Sequence, residues 1–327
     1  MKNFQSVVLW VLVLGLIGYT IYDKKFNNVL YEQYQDGSWH QTQLIDFRLP
    51  ERLYFADEPV PLEDMNVRHR LDREFYAFIF AHAGTAMTIR RANQWLPRFE
   101  KILSEMGVHT DFKYLPIIES NLMPQAVSPM GAGGLWQIMP EVAKQYGLEI
   151  NEEIDERFHP IKSAYVAARI LKENYQKFGS WALAAAAYNA GAGYLEGAIS
   201  FQKQKSYYDL FLYPETARYV IRLVAFKHIY ENPQKYGYQM RQESLYCFPP
   251  LRTIKIKENI SDLVDFAEKN GVSYRVLVEY NPWIKGKTLS IKEGKTYEIE
   301  LPYPSANRSE GEAKDNKDSL KKMKVEK

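Results

Sequence analysis

Hydrophobic residues recur at helical spacing through the middle of the chain. Positions 67–106, 161–178 and 215–230 carry apolar side chains every three or four residues. Because 3.6 residues complete one turn, this spacing predicts amphipathic helices. Residues 81–88 interrupt the first stretch, which is therefore predicted to form two helices. Since no convincing strand pattern interrupts this part of the chain, residues 67–235 are predicted to form one helical domain.

The pattern changes beyond residue 236. Residues 253–256 and 296–301 alternate between apolar and other side chains, as strands do, whereas 261–270 and 274–280 have helical spacing. A small strand–helix–helix–strand module is therefore predicted within residues 248–302. The fold class predicted for the chain is mainly α, or α+β when the module is included.

The two ends of the chain differ from its middle. Residues 4–22 are almost wholly apolar and follow Lys2, which is typical of a signal peptide or a membrane anchor within residues 1–25. No Ala-x-Ala-like cleavage site follows, which favours an anchor that is retained. Residues 26–66 are predicted to form an extended lead-in, and the charged residues 303–327 a disordered tail. The rest of the chain is expected to be exported.

Composition narrows the classes of function. The chain has 42 basic and 40 acidic residues, so its net charge of +2 gives no reason to expect a nucleic-acid partner. A single cysteine excludes an intrachain disulfide, and six scattered histidines do not suggest a metal site. We expect no cofactor and a monomeric protein.

Glu119 is the candidate catalytic residue. It follows two isoleucines near the predicted end of a short helix. Desolvation by apolar neighbours and the negative end of a helix dipole both raise the pKa of a carboxyl group. A carboxylic acid that is protonated near neutral pH can donate a proton to a glycosidic oxygen. Taken alone, a glutamate at a helix end is more often a solvated surface residue.

Four segments of the chain give Glu119 a context. The sequence ESNLMPQAVSPMGAGGLWQIMP (119–140) resembles the first two motifs of the family 1 lytic transglycosylases, whose catalytic unit is the soluble-transglycosylase-like domain. Residues 187–191 and 215–220 resemble the third and fourth motifs. Together with FADEPVPLEDMNVRHRLDREF (55–75), the resemblance is to the membrane-bound lytic transglycosylase D type and covers roughly residues 55–302.

The resemblance implies a lysozyme-like helical domain with a groove for peptidoglycan glycan strands. Members of the family cleave the β-1,4 bond between N-acetylmuramic acid and N-acetylglucosamine and leave a 1,6-anhydro end. One glutamate, Glu119 here, serves as general acid and then as general base. Ordinary glycosidases use two carboxyl groups, and the motif around Glu119 has no second one. The implied location is the cell envelope, either anchored in the inner membrane or periplasmic.

The resemblance also assigns candidate substrate-binding residues. Ser128 is implied to form a hydrogen bond near the acid, and Gln137 to bind an acetamido group or orient Glu119. The other candidates are the groove residues Met139, Tyr188, Asn189 and Tyr219. The glycines of 131–134 either let the backbone approach a sugar or form a plain tight turn. Trp136 is expected to be a core residue rather than a sugar-stacking one.

The C-terminal module resembles a LysM module, which binds N-acetylglucosamine chains. Residues 270–272 and 281–282 match its pattern, but Glu258–Leu263 replaces the usual Gly-Asp-Thr-Leu opening. The module is therefore either a glycan-binding unit or a degenerate structural one.

Two other functions stay open from the sequence. The same fold could act as a lysozyme-type hydrolase in which Glu215 or Asp111 activates water, although Glu215 also suits the positive end of a helix dipole. An inactive glycan-binding protein is the third hypothesis, but such a protein would be expected to lose Glu119 or the third motif, and both are present. His159 stands where the family usually has aspartate.

Overall fold

A computed structural model describes residues 47–292 and 294–303. The predicted anchor (1–25), most of the lead-in (26–66) and nearly all of the predicted tail (303–327) lie outside the described residues. None of the helices in the described residues has the length and hydropathy that a membrane span requires.

The predicted helical domain is present. Its α-helices within the described residues are α1 Met65–Phe80, α2 His82–Met106, α3 Leu115–Ser120, α4 Pro140–Gln145, α5 Pro160–Phe178, α6 Trp181–Ala190, α7 Ala192–Gln202 and α8 Pro214–Glu231. Short 3₁₀ turns lie at Thr110–Tyr114, Glu156–Phe158, Tyr207–Asp209, Pro233–Tyr236 and Gln242–Ser244. Helices α2 and α5 both end at a glycine in the left-handed conformation, Gly107 and Gly179. Such a glycine is a common helix terminator because it has no Cβ.

The core of this domain is built around helices α6 and α8. Helix α6 buries five alanines, at 182 and 184–187, and packs against both α5 and α8. Alanine side chains are small, so neighbouring helices approach closely here. Helix α8 buries residues on most of its circumference, including Val220, Leu223 and Phe226. The two helices that hold the third and fourth motifs are thus fixed directly against each other.

Two local predictions were wrong. The lead-in does not stay extended to residue 66, because Tyr54–Phe55 (β1) pairs with Glu58–Pro59 (β2) in a short antiparallel hairpin. The carboxylate of Glu58 accepts hydrogen bonds from the backbone of Trp181 and Ala182, the first residues of α6. These contacts are distant in sequence, so the local pattern gave no sign of them. The break predicted over 81–88 is confined to Ala81, and the following residues already belong to α2.

The strand–helix–helix–strand module is present as predicted. Its elements are β3 Leu251–Ile256, α9 Leu263–Lys269, α10 Tyr274–Tyr280 and β4 Tyr297–Pro302. Strands β3 and β4 are antiparallel, with Ile254 opposite Ile299. Leu263, Leu277 and Trp283 are buried in the module's own core.

A segment of the helical domain, 149–156, inserts into the module. Ile154 is fully buried in the module's hydrophobic cluster. The backbone N–H of Asp155 donates to the carbonyl of Trp283 over 2.9 Å, and the carbonyl of Glu153 accepts from Lys285 N–H over 2.8 Å. The module is therefore joined to the helical domain by main-chain hydrogen bonds as well as by apolar packing.

The carboxylate of Glu149 adds an electrostatic contact to this junction. Burial by itself raises the pKa of Glu149, but hydrogen bonds from Lys292, Lys295 and Tyr297 outweigh it and lower that pKa to about 2. The Lys295 Nζ and Tyr297 Oη atoms each lie 2.8 Å from the Glu149 carboxylate. Glu149 is consequently ionised throughout the neutral range and contacts the module through partly buried charge-assisted hydrogen bonds.

Candidate active site

Helix α3 presents Glu119 near its C-terminal end. A 3₁₀ turn at Thr110–Tyr114 runs directly into this helix, and the ring nitrogen Nδ1 of His109 accepts from the N–H of Asp111. His109 therefore caps this 3₁₀ turn. Pro116 lies in the first turn of helix α3, where a missing N–H breaks no helical hydrogen bond.

Helix α3 ends at Ser120, the residue after Glu119, and the next two residues have a left-handed backbone conformation. Asn121 has φ 50° and Leu122 has φ 57°. Left-handed backbone is uncommon for residues other than glycine, and asparagine tolerates it best. This turn directs the chain away from the helix at once, so Glu119 lies where the helix meets the loop that carries the second motif.

The carboxyl group of Glu119 has an elevated pKa, as the sequence predicted. Burial raises its pKa from 4.5 to about 7. A hydrogen bond from Tyr219 and the charge of Arg222 act in the opposite direction, while the charge of Glu215 raises the pKa further. Near neutral pH the group therefore exists in both protonation states, which suits a residue that must donate a proton and then accept one.

Two tyrosines surround this carboxyl group. The Tyr219 hydroxyl, on α8, donates to Glu119 Oε1. The Tyr188 hydroxyl, on α6, donates to the carbonyl of Trp136 over 2.7 Å. Burial and the nearby Glu119 charge raise both phenol pKa values well above 10.0. Both hydroxyls therefore stay protonated and act as hydrogen-bond donors.

Asn189 links the third motif to the fourth. Its Oδ1 accepts from Thr216 Oγ1 over 2.8 Å, which ties helix α6 to the first turn of α8. The Asn189 Nδ2 has no hydrogen-bond partner in the described residues. The side chain is thus oriented by the protein and retains one donor for a ligand.

Two side chains of the second-motif loop bind the backbone of that loop. Ser128 Oγ accepts from the N–H of Ala132 over 3.0 Å and forms no hydrogen bond with Glu119, so its role here is to hold the turn. Gln137 Nε2 donates to the carbonyls of Ala126 (3.2 Å) and Gly134 (2.8 Å) and likewise does not orient Glu119. Its Oε1 remains available as an acceptor.

Met139 and Trp136 differ in burial. Met139 is half-buried at the N-cap of α4, which leaves part of its side chain accessible. Trp136 is fully buried, and its ring centroid lies 5.0 Å from that of Phe99. The prediction that Trp136 is a core residue is confirmed.

The glycine-rich turn is determined by close packing against the segment Arg157–Phe158. Gly134 has φ +78°, and a Cβ at this position would lie 2.1 Å from the carbonyl oxygen of Arg157. The Arg157 guanidinium donates to the carbonyl of Gly131 over 2.6 Å and forms a buried ion pair with Asp155. The close backbone approach at Gly134 is therefore to the protein itself.

The structure also places Asp111 and Glu215, the candidates for a second carboxylate, and His159. Asp111 is buried, and its Oδ2 accepts from Lys227 Nζ over 2.5 Å and from Ala56 N–H over 2.8 Å. Glu215 is exposed in the first turn of α8. His159 caps α5 and stacks on Trp283 of the module, and burial lowers its pKa to about 3. No cluster of three metal-ligating side chains occurs in the part of the chain that the structure describes.

Arg222 is a site residue that sequence reasoning missed. It lies three residues after Tyr219 on α8, so both side chains project from the same side of the helix. Its charge lowers the pKa of Glu119, yet within the described residues it has no hydrogen bond or ion pair. The spacing from Tyr219 was the signal that could have identified it.

Comparison with protein families matches two parts of the chain. Residues 100–211 match the model of the Transglycosylase SLT domain. This part of the chain is therefore similar to an SLT domain. Residues 252–305 match the Soluble lytic transglycosylase C-terminal LysM-like domain, which agrees with the resemblance of the module.

Curated relatives share this similarity over part of their length. The chain is 31% identical over 180 residues to membrane-bound lytic murein transglycosylase D of Escherichia coli strain K12, which covers 54% of this chain and 39% of the relative. It is 32% identical over 143 residues to membrane-bound lytic murein transglycosylase F 1 of Alkalilimnicola ehrlichii, covering 39% of this chain and 27% of the relative. The chain thus spans less than half the length of either relative.

A solved structure is also similar. The 70 kDa soluble lytic transglycosylase of Escherichia coli matches with a TM-score of 0.37 and 24% identity, over 42% of this chain and 24% of that one. Within the present chain, the matched SLT segment contains Glu119, Gln137 and Tyr188. Tyr219 and Arg222 lie beyond the matched segment, on helix α8, which packs against α6.

Two charges near Glu119 are expected to shift the pH dependence of activity in opposite directions. Arg222→Gln removes a charge that lowers the pKa of Glu119, so the alkaline limb of activity should move to higher pH. Glu215→Gln removes a charge that raises that pKa and should move the limb to lower pH. The check is the pH profile of peptidoglycan solubilisation, with Arg169→Gln, an exposed change on α5, as the control. A shift of both variants in the same direction would contradict this electrostatic assignment.

Proposed function

We propose that this protein is a peptidoglycan lytic transglycosylase. It cleaves the β-1,4 bond between N-acetylmuramic acid and N-acetylglucosamine and leaves a 1,6-anhydromuramic acid end. The observation that carries the proposal is Glu119, which lies within the segment similar to an SLT domain. Its carboxyl group has a pKa of about 7 and accepts a hydrogen bond from a tyrosine. Such a group supplies both the acid and the base that this reaction needs.

The proposed reaction uses Glu119 twice. The protonated carboxyl group donates its proton to the glycosidic oxygen as the bond from that oxygen to C1 of the muramic acid breaks. The C6 hydroxyl of the same sugar then bonds to C1, and its proton passes to the Glu119 carboxylate. The acid is regenerated and no water is consumed, because the substrate supplies the nucleophile.

The neighbouring residues have supporting roles in this proposal. Tyr219 stabilises the carboxylate that forms after proton donation, since its hydroxyl already donates to Glu119. Arg222 favours the same charged form from the next helical turn. The free Oε1 of Gln137 and the free Nδ2 of Asn189 suit the N–H and C=O groups of acetamido substituents. Met139 lines the groove, and Ser128 and Tyr188 hold its loop in place.

A lysozyme-type hydrolase is the second candidate, and Glu215 is the observation that favours it. Glu215 is exposed, yet its charge acts on Glu119. A second carboxylate near the acid is the arrangement that activates water in ordinary glycosidases. Asp111 does not suit this role, because it is buried in contact with Lys227 and the backbone of Ala56.

The masses of the products distinguish the candidates. Purified peptidoglycan is digested with the protein, and the soluble fragments are analysed by mass spectrometry. The transglycosylase proposal predicts fragments with anhydro ends, and products heavier by one water would support the hydrolase. An inactive glycan-binding protein would sediment with peptidoglycan and release no fragments.

The proposal extends to the cellular location and the oligomeric state of the protein. We infer that it works in the cell envelope on peptidoglycan strands, attached to the inner membrane by residues 1–25 or free in the periplasm, and as a monomer. The limits 67–235 for the catalytic domain and 248–302 for the LysM-like module remain part of this proposal. Cleavage needs no cofactor, metal or nucleic acid in this scheme.

A further inference from the structure

A pocket of about 790 Å³ lies between the loop after the candidate acid and the LysM-like module. Its walls come from two parts of the chain that are far apart in sequence, segment 123–126 and helix α10 with Pro282. Docking of the module against segment 149–156 holds these two walls together.

We propose that this pocket is a secondary binding site for the glycan strand, where sugars remote from the cleaved bond bind. The inference rests on the proposed function and adds a substrate contact that belongs to neither domain alone. In this proposal the LysM-like module forms one wall of a shared glycan site and does not bind glycan by itself.

Continuity with the candidate active site is the first support. The N–H of Met123 donates to the carbonyl of Ser120, the residue next to Glu119, over 3.0 Å. The carbonyl of Ala126, at the other end of the same wall, accepts from Gln137 Nε2 over 3.2 Å. The segment that lines the pocket is therefore hydrogen-bonded at both ends to elements that build the active site.

The chemistry of the lining is the second support. Met123, which is 49% exposed, lies in a largely apolar wall with Tyr274 and Val278. Such surfaces suit the C–H faces of pyranose rings, while a few polar groups fix the hydroxyl edges. Arg275 Nη1 lies 2.5 Å from Glu279 Oε2, so the two charges neutralise each other. The lining therefore favours binding of an uncharged sugar over binding of a charged peptide stem.

The rigidity of the junction is the third support. Asp155 and Glu153 bind the module through backbone hydrogen bonds, and the Glu149 carboxylate binds it through Lys295 and Tyr297. A pocket whose walls are already fixed needs little ordering when a ligand binds, so weak contacts with a sugar contribute more to affinity.

The test compares long glycan strands with a tetrasaccharide fragment as substrates. Val278→Trp fills the pocket. We expect kcat/KM for long strands to fall about tenfold relative to kcat/KM for the tetrasaccharide. A fall of this size corresponds to the loss of roughly one good contact. Val264→Trp is the matched control, because Val264 lies on helix α9 of the module and outside the pocket lining. Glu279→Trp, an exposed change at the rim, is the second variant if Val278→Trp does not fold.

Binding measurements separate this inference from the proposed function. In an inactive Glu119→Gln background, Val278→Trp should weaken the binding of long strands about tenfold and that of the tetrasaccharide much less. This readout does not depend on which product the enzyme forms. Equal strand affinity with and without Val278→Trp, or an equal loss with Val264→Trp, would overturn the inference.

Discussion

Replacement of Glu119 by glutamine should reduce strand cleavage by about 10³-fold or more while the protein stays folded. Glutamine has nearly the same shape but has no proton to donate to the glycosidic oxygen and no carboxylate to accept one from the C6 hydroxyl. The measurement is the rate of release of soluble fragments from purified peptidoglycan. Glu141→Gln, an exposed change in the first turn of α4, is the matched control and should retain wild-type activity.

The same substitution should also change stability in a pH-dependent way. The folded-state pKa of Glu119 is about 7, above its ordinary value of 4.5, so the wild-type protein loses stability as the pH rises from 4.5 through 7. Glu119→Gln removes this penalty and should raise the melting temperature at pH 8 but hardly at pH 4.

For the activity prediction, a rate of strand cleavage above about a tenth of the wild-type rate, in a folded Glu119→Gln variant, would exclude Glu119 as the acid.

Replacement of Gly134 by alanine should be the most destabilising small change in the loop of the second motif. A Cβ would lie 2.1 Å from the carbonyl oxygen of Arg157, and the backbone φ of +78° is unfavourable for alanine. Both the loop and the Arg157 segment would have to move, and Arg157 also pairs with the buried Asp155. We expect a loss of about 4 kcal/mol or more in the free energy of unfolding, measured by chemical denaturation.

Gly131→Ala is the matched control for this prediction. Gly131 also has a left-handed backbone, with φ +86°, but no atom lies within 4 Å of where its Cβ would be. Its cost should therefore reflect only backbone strain, about 1–2 kcal/mol. Equal losses for the two variants would show that the contact with Arg157 does not constrain the loop.

The fold was predicted well where the signal is local. The helices later described as α5 and α8 begin and end within a residue or two of their predicted limits, because apolar spacing, Pro160 and Gly179 all act over a few residues. The hairpin at 54–59 was missed because its strands are only two residues long and because Glu58 contacts α6, which is distant in sequence. Insertion of Ile154 into the module also depends on tertiary contacts that no local pattern encodes.

The site was predicted in part. The elevated pKa of Glu119 followed from its apolar neighbours, and its proximity to Tyr219 agrees with the motif resemblance. Ser128 and Gln137 bind the backbone of their own loop, and their implied roles at the site stay predictions. Arg222 was missed because its influence on Glu119 depends on the way α8 packs against α3.

Titration of the Glu119 carboxyl group tests the central claim most directly. Selective ¹³C labelling of glutamate, with Glu119→Gln used to assign the resonance, gives the pKa of this side chain in the folded protein. The proposed mechanism predicts a pKa of about 7, because burial disfavours the charged form. A pKa near the ordinary value of 4.5 would contradict it, since the group would then be ionised at neutral pH and could not act as the acid.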